Sequence, residues 1–271
     1  MSTIHDNMQM LLLKAGVVLP QISKNMILNV DIIDWASIKE FVNHDSTDAT
    51  KSTKQIQKEL AMSLLFISEN IKKNKLQYDT KDVQQIYDIF RNHIQRSYQV
   101  GIAYVNNIFN SKGFIDSEDI KVIKYLSEYY TQIFINSIDK ILLDPKLLLD
   151  IGRYITDINE DRLEKSKIFN HVAHSVSATF QALQVATVLK TLVLYRDNST
   201  LNTHSVAAQI PTLEFKWISS LKERVCPTCS EMSQMMWPIN SWDSIPLIPH
   251  ATHPHCRCRV ILTSTITQTD S

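Results

Sequence analysis

The chain has 271 residues, 28 of them basic and 28 acidic, so its formal net charge at neutral pH is zero. A balanced charge argues against a protein whose main task is to coat nucleic acid or an anionic membrane. Hydrophobic residues make up 44% of the chain, which is typical of a globular protein, and the length favours two structural units.

Neither apolar stretch of the sequence has the features of a signal peptide or a membrane span. The stretch from Met10 to Pro20 is interrupted by Lys14 and is not followed by a small-residue cleavage site. Residues 172–189 carry no formal charge, but they include His174, two serines, two threonines and two glutamines. We therefore expect a soluble protein, made in a reducing cytoplasm, without a membrane partner.

The first two hundred residues have the apolar period of α-helices. Two stripes recur mainly at intervals of three or four residues, which places each stripe on one face of a helix. The first stripe is Ile56, Leu60, Leu64, Ile67 and Ile71, and the second is Ile86, Phe90, Ile94, Ile102, Val105 and Phe109. We predict that both stripes are core positions rather than cofactor sites.

Polar residues mark the starts of two of these helices. Thr80 and Ser117 stand where N-cap residues are expected, and acidic residues follow each of them in the first turn. A further helix is predicted from about Glu164 to Tyr195. The sequence therefore predicts a helical body over residues 1–200.

The composition of the chain changes near residue 200. Six of the eight prolines and three of the four tryptophans lie beyond it. The polar run from Asp197 to Ser205 is the expected boundary. We predict two units, the helical body over residues 1–200 and a tail module over residues 201–271.

The tail module has the alternating pattern of β-strands. Its alternating apolar positions are Leu213, Phe215 and Trp217 in one strand and Cys256, Cys258, Val260 and Leu262 in another. A unit of two or three strands is too small to hold a core alone, so it needs a metal or a larger domain to dock on. The predicted fold class is mainly α, with a small C-terminal β-rich module that is zinc-ribbon-like.

All four cysteines of the chain lie in two short stretches of the tail. The stretches are Cys226-Pro-Thr-Cys229 and His253-Pro-His-Cys256-Arg-Cys258. In a reducing cytoplasm, clustered cysteines are more often metal ligands than disulfides. Zinc takes four nitrogen or sulfur ligands in a tetrahedron, commonly as two pairs from two tight turns. We therefore predict a structural Zn²⁺ site in the tail.

Two ligand sets are compatible with this spacing. Two sulfurs on one zinc ion lie roughly 3.7 Å apart, whereas residues i and i+2 on one strand face are about 6.5 Å apart. We therefore expect His253 and Cys256 to complete the Cys226 and Cys229 pair, with Cys258 pointing at the core. The alternative set uses all four cysteines and a bend between Cys256 and Cys258, which leaves His253 as a hydrogen-bond donor.

Other chemistries of a CxxC pair fit the sequence less well. A redox CxxC stands at a helix N-terminus within a βαβ unit, and no helical spacing follows Cys229. A zinc deaminase needs a proline before the first cysteine, where this chain has valine. A DNA-reading zinc finger needs a helix at its second ligand pair, which the prolines there exclude.

Three histidines cluster before the second cysteine pair, at His250, His253 and His255. No carboxylate in this segment lies closer than Asp243, so no general acid–base pair is visible. We expect one histidine to be a metal ligand and the other two to be exposed turn residues. The sequence predicts no catalytic residue and no organic cofactor site.

Residues 213–262 resemble the C-terminal signature of the phage Mu F-like minor head proteins, also called head morphogenesis proteins. The matching pattern is an aromatic strand, then Arg224-Val-Cys-Pro-x-Cys229, a proline-rich stretch and His253-Pro-x-Cys256-Arg-Cys258. The chain departs from the pattern at Lys222, where many members have an acidic residue, and at Ser230, where a glycine is expected.

The resemblance implies a low-copy structural protein near the portal of a tailed-virus head, needed for head assembly or genome delivery. Its partners would be the portal protein, the major capsid protein or both, with genomic DNA as an indirect partner. It would be assembled into the virion in the host cytoplasm and would have no enzyme activity. Two rivals stay open: a phage-derived effector or toxin-type enzyme, and a cellular zinc-ribbon adaptor.

Overall fold

Helices dominate the described part of the chain. The computed structural model describes residues 7–19, 35–74, 77–142, 174–199, 212–219, 227–233, 235–250, 252 and 256–265. The helices are α1 Met8–Lys14, α2 Trp35–Lys73, α3 Thr80–Phe109, α4 Ser117–Leu142, α5 Ala178–Ser199 and α6 Pro227–Met232. The strands are β1 Thr212–Ile218, β2 Met236–Pro238 and β3 Arg259–Thr265, and a 3₁₀ turn covers Ile239–Ser244.

The three strands form one antiparallel sheet in the order β2-β1-β3. In its register, Phe215 of β1 lies opposite Trp237 of β2 on one side and Leu262 of β3 on the other. Leu213, Phe215 and Trp217 are all buried, as the alternation predicted. The predicted fold class, mainly α with a small C-terminal β module, is confirmed.

The two predicted apolar stripes form buried faces of α2 and α3. All five residues of the first stripe are buried, and so are five of the six residues of the second. The exception, Phe109 at the end of α3, is partly buried and packs on the same core. A helical period thus located the buried face of each helix correctly, because the face that packs is set by local spacing.

The N-caps of α3 and α4 lie one residue earlier than predicted. The Asp79 carboxylate accepts hydrogen bonds from the backbone N–H groups of Lys81 and Asp82, at 2.7 and 3.1 Å. The Asp116 carboxylate accepts in the same way from the second and third residues of α4, at 2.9 and 3.0 Å. Thr80 and Ser117 are therefore first helical residues, because the preceding carboxylate serves two N–H groups and favours the helix dipole.

Helix α5 is the central helix of the bundle. It contacts α2, α3, α4 and β3, and every residue from 175 to 192 is buried. Among the described residues, only the segment His174–Tyr195 is long and apolar enough to cross a membrane, and 94% of its apolar window is buried inside the protein. The predicted helix start near Glu164 lies outside the described residues, and the helix ends at Ser199, beyond the predicted Tyr195.

Helices α3 and α5 cross at a glycine. A Cβ atom placed on Gly101 would lie 2.7 Å from Ala186 Cβ and 2.9 Å from the Leu183 carbonyl oxygen. Real Cβ atoms essentially never approach other atoms this closely. The absence of a side chain at Gly101 therefore permits the backbones of the two helices to approach each other.

We expect Gly101→Ser to lower the free energy of unfolding by about 1–3 kcal/mol, because overlap with α5 costs this much in a packed core. The overlap outweighs the gain of up to about 1 kcal/mol that glycine replacement gives within a helix. Ala103→Ser is the control, since Ala103 is exposed on the same helix. Urea unfolding of both variants checks the prediction, and equal stabilities would contradict the close crossing.

The tail packs directly on the helical body. Strand β3 contacts α2 and α5, and the 3₁₀ turn contacts α1. One continuous hydrophobic cluster runs from Met8 through the bundle to Leu262. The two predicted units therefore share a core. Their predicted boundary, near residue 200, stays a prediction because residues 200–211 lie outside the described residues.

Candidate metal centre

Three cysteine sulfurs meet in the core of the tail. The sulfur atoms of Cys229, Cys256 and Cys258 all lie within 4.8 Å of one another. Cys229 Sγ and Cys256 Sγ are 3.6 Å apart, close to the separation of two sulfurs on one zinc ion. The three residues are 1%, 0% and 3% exposed, and none of them forms a disulfide. The cluster is thus a buried set of thiols with the spacing of metal ligands.

Two elements bring these sulfurs together. Cys229 is the third residue of the short helix α6, which begins at Pro227 in the position that proline favours at a helix start. Cys256 and Cys258 lie in the segment just before β3. Because β3 pairs along its whole length with β1, the sheet fixes where that segment ends. The 3.6 Å contact between the Cys229 and Cys256 sulfurs shows that the segment lies beside α6.

The expectation that Cys258 points away from the site is wrong. It assumed that Cys256 and Cys258 lie in one extended strand, where their side chains would be about 6.5 Å apart. The strand begins only at Arg259, so the two cysteines precede it and their sulfurs converge on the same point. The three described cysteines are thus arranged as the alternative ligand set requires, while the fourth member of that set, Cys226, lies outside the described residues.

The other predicted ligands lie outside the described residues. In the sequence, Cys226 directly precedes α6, and His253 stands three residues before Cys256. The structure therefore brings together three of the five predicted metal residues. With three sulfurs already gathered, one further ligand completes a tetrahedral zinc site.

The thiols of this cluster cannot all ionise without a cation. The hydrogen bond with Cys258, burial and the adjacent Cys258 charge raise the pKa of the Cys256 thiol far above its usual range. Like charges that share one buried site disfavour ionisation, and a bound divalent cation reverses this effect. Buried sulfur donors suit zinc, which is held by cysteine thiolates in structural sites, so the residues present fit the predicted ion.

One argument used against a redox role of the CxxC pair is wrong. A helix does start directly after Cys226, since α6 runs from Pro227 to Met232 and includes Cys229. The described residues otherwise differ from the surroundings of a thioredoxin-like pair. Their sheet is antiparallel, and Cys229 lies beside two further cysteines rather than one. A thioredoxin-like site has its reactive pair in a βαβ unit, so the cluster fits a metal better than a redox pair.

The sheet gives the cluster an apolar shell. Trp217 of β1 is fully buried and meets Trp237 of β2 edge-on, with ring centroids 6.5 Å apart. Val260 and Leu262 of β3 are buried in the same continuous hydrophobic cluster as the cysteines. An apolar shell limits the access of water and competing ligands to a metal ion. Trp217 thus lies in the core of the tail, while Trp237 is half-buried.

A segment between the 3₁₀ turn and the second cysteine pair docks the tail on the bundle. We call residues 245–250 the docking segment. Gln184 of α5 donates to the Pro246 carbonyl at 2.8 Å and accepts from the Ile248 N–H at 3.0 Å. Ile245, Leu247 and Ile248 are fully buried. A buried glutamine that satisfies two backbone groups fixes the position of the segment on α5.

His250 ends the docking segment in a turn, as expected, but it is not exposed. It is half-buried, with its ring against Tyr129 of α4 and close to Gln181 of α5. Sequence patterns did not indicate this contact, since the partners lie 121 and 69 residues away along the chain. The sequence gives one signal, the two glutamines Gln181 and Gln184 within a segment rich in apolar residues.

Away from the cysteines, a cluster of charged side chains lies at the start of α4. Lys190 of α5 is 6% exposed at its side chain and lies 2.7 Å from Asp116 and 2.6 Å from Asp119. The Tyr98 hydroxyl of α3 donates to the other oxygen of Asp119 at 2.9 Å. Burial alone would lower the pKa of Lys190. The hydrogen bonds to the Asp116 and Asp119 carboxylates outweigh burial and raise this pKa, so the lysine stays cationic. The cluster ties α3, α4 and α5 together.

Comparison with known proteins gives no match for this chain among protein-family models, among curated proteins or among solved structures.

Proposed function

We propose that this chain is a non-enzymatic minor structural protein of a tailed-virus or prophage head. Its helical body would contact the portal or major capsid subunits, and its tail would be held in shape by zinc. The observation that carries the metal part is the buried sulfur cluster, whose members stand in the sequence pattern of phage Mu F-like minor head proteins. The virion part depends on that resemblance in residues 213–262.

Cys226, Cys229, Cys256 and Cys258 would hold the zinc ion. A site closed by four protein ligands leaves no open position for a water molecule or a substrate, which is the arrangement of structural zinc. The ion neutralises thiolates that repel each other and cross-links α6 to the segment before β3. Since β3 also packs on α2 and α5, the metal would help to keep the tail on the bundle.

A toxin-type or effector enzyme is the runner-up function. An ADP-ribosyltransferase-like core would be rich in strands, whereas residues 35–74, 77–142 and 174–199 are almost wholly helical. In the polar cluster around Lys190, the buried side chains of Lys190 and Asp119 are paired with each other, and the half-exposed Asp116 also pairs with Lys190. These features favour a structural role over a catalytic one. A cellular zinc-ribbon adaptor would share the metal site, so particle association separates it from our proposal.

The proposed role predicts that the protein is packaged in particles at low copy number. Mass spectrometry of purified particles from the phage or induced prophage should detect the chain together with portal and capsid proteins. Deletion of its gene should reduce the yield of particles that assemble and eject DNA, and the wild-type gene should restore it. Particles that lack the protein and yet assemble and eject DNA normally would contradict the role.

A matched pair of complementing genes tests whether the zinc module is needed for that role. Cys258→Ser removes one sulfur from the cluster, whereas Lys121→Met changes a partly exposed ion pair on α4 and a 3.5 Å contact with the Gly16 carbonyl oxygen. We expect the Lys121 variant to restore particle yield and the Cys258 variant to fail. Portal and terminase genes beside this gene would support the virion role, and an adjacent immunity gene would support the toxin.

A further inference from the structure

The loop between α3 and α4, residues 110–116, is tied to the helices at both ends. Asn106 of α3 donates through Nδ2 to the Gly113 carbonyl at 2.7 Å, and its Oδ1 accepts from the Gly113 N–H at 3.1 Å. The Ser111 hydroxyl donates to the same Oδ1 at 2.8 Å. At the other end, the Asp116 carboxylate caps α4. The hydrogen bonds of one asparagine and one cap therefore fix the shape of this loop.

The fixed loop presents Phe114 to solvent. Phe114 is 81% exposed, more than any other large hydrophobic residue in the described ranges. The next residue, Ile115, packs on the core and so anchors the loop beneath the exposed ring. Aromatic side chains are common anchors of protein interfaces, and a loop that is already rigid loses little entropy on binding. We call Phe114 the knob.

An apolar groove lies between α2 and α3, near the start of α3. Its volume is about 420 Å³, within the range of about 300–1,000 Å³ that is usual for ligand pockets. The described residues that line it are Met62, Ser63, Phe66, Ile67, Gln85 and Ile89. Phe66 is 56% exposed, whereas Ile67 is buried. The groove therefore has the room and the apolar lining to hold an aromatic side chain.

The knob cannot reach the groove of its own chain. Ile89 in the groove and Asn106 beside the knob lie on one continuous helix, about 25 Å apart along its axis. The loop that carries the knob is short and fixed, so it cannot fold back over this distance. A knob and a groove at separate places on one molecule suit a head-to-tail contact, in which unlike surfaces of two identical chains meet.

The charges beside the two surfaces are complementary. Lys112 is exposed two residues before the knob. Gln85 of the groove lies one helical turn from Asp82 and one turn from Asp88. Lys81 is also one turn away, so the carboxylates outnumber the basic side chain there. Opposite charges at facing edges favour association and fix its orientation.

We propose that Phe114 of one chain docks in the α2–α3 groove of a second copy, with Lys112 facing Asp82 and Asp88 of that copy. Because the contact joins unlike surfaces, its repetition builds a closed ring or an open filament rather than a two-fold dimer. The contact does not depend on the proposed virion role, since it rests on surfaces of the helical body alone.

Sedimentation velocity of the full-length protein tests this contact. The mean mass of the wild type should rise past that of a dimer between about 1 μM and about 1 mM. Phe114→Asp removes the knob and Phe66→Asp places a charge in the groove, so each variant alone should stay monomeric. Both side chains are exposed, which spares the fold. Met235→Asp is the matched control, since Met235 is 48% exposed on the tail, and it should associate as the wild type does.

An equimolar mixture of the two monomeric variants separates this contact from other kinds of self-association. Phe114→Asp keeps an intact groove and Phe66→Asp keeps an intact knob, so the mixture should form a one-to-one dimer that grows no further. Lys112→Glu should weaken association about fivefold, and Asp88→Lys in the same chain should restore it. A monomeric wild type, association that persists in either aspartate variant, a mixture that stays monomeric, or no recovery in the charge-swapped chain would overturn the proposal.

Discussion

Cys258→Ser is expected to release zinc and unfold the tail. The Cys258 sulfur belongs to a buried cluster with the sulfurs of Cys229 and Cys256, so a variant without it leaves too few ligands for a closed site. Binding free energy in small structural zinc sites is about 10–16 kcal/mol, which exceeds the total stability of most domains. Bound zinc should fall from one ion per chain to near none, and limited proteolysis should cut within the tail.

His253→Ala is the discriminating partner of that variant. If all four cysteines bind the metal, the histidine variant keeps its zinc and its resistance to proteolysis. If His253 is a ligand and Cys258 is not, the two results exchange places. Zinc retained in Cys258→Ser and lost in His253→Ala would therefore contradict the four-cysteine site directly.

Lys190→Met is expected to lower the free energy of unfolding by about 3–5 kcal/mol, because it leaves a buried carboxylate without its cation. Asp119 is fully buried and lies 2.6 Å from the lysine nitrogen, so the loss cannot be offset by water. Urea unfolding measures the change. Lys121→Met is the matched control, since its ion pair with Glu118 is 46% and 39% exposed and such pairs contribute about 0–1 kcal/mol.

The same cluster predicts a loss of stability at alkaline pH. The pKa of Lys190 is raised, so its contribution is fully present below the unfolded value of about 10.4 and is lost as pH rises through the folded value. Unfolding curves of the wild type should converge on those of Lys190→Met above this range. Equal destabilisation by Lys190→Met and Lys121→Met at neutral pH would show that the buried cluster does not hold the bundle together.

The parts of this structure that follow from local spacing could be predicted from the sequence. The helical stripe through Leu60 and the strand alternation through Phe215 each report a buried face, because that face repeats within a few residues. The clustered cysteines likewise indicated a metal site, since two tight turns supply zinc ligands as pairs. Fold class and the location of the candidate site were therefore predictable.

The remaining features depend on where distant segments meet. The convergence of Cys256 and Cys258 required knowing that β3 begins at Arg259, and the strand alternation around it does not mark that start. The pairing of Lys190 with Asp116 joins residues 74 positions apart. A lone lysine in an apolar helix indicates that a buried partner exists, but the helix itself does not identify that partner.

X-ray absorption at the zinc edge of the purified wild-type protein tests the central claim most directly. A tail held by Cys226, Cys229, Cys256 and Cys258 predicts one zinc ion per chain with four sulfur neighbours at about 2.3 Å. A first shell of three sulfurs and one nitrogen would show that a histidine replaces one of these cysteines. A folded protein without bound zinc would contradict the metal-held tail altogether.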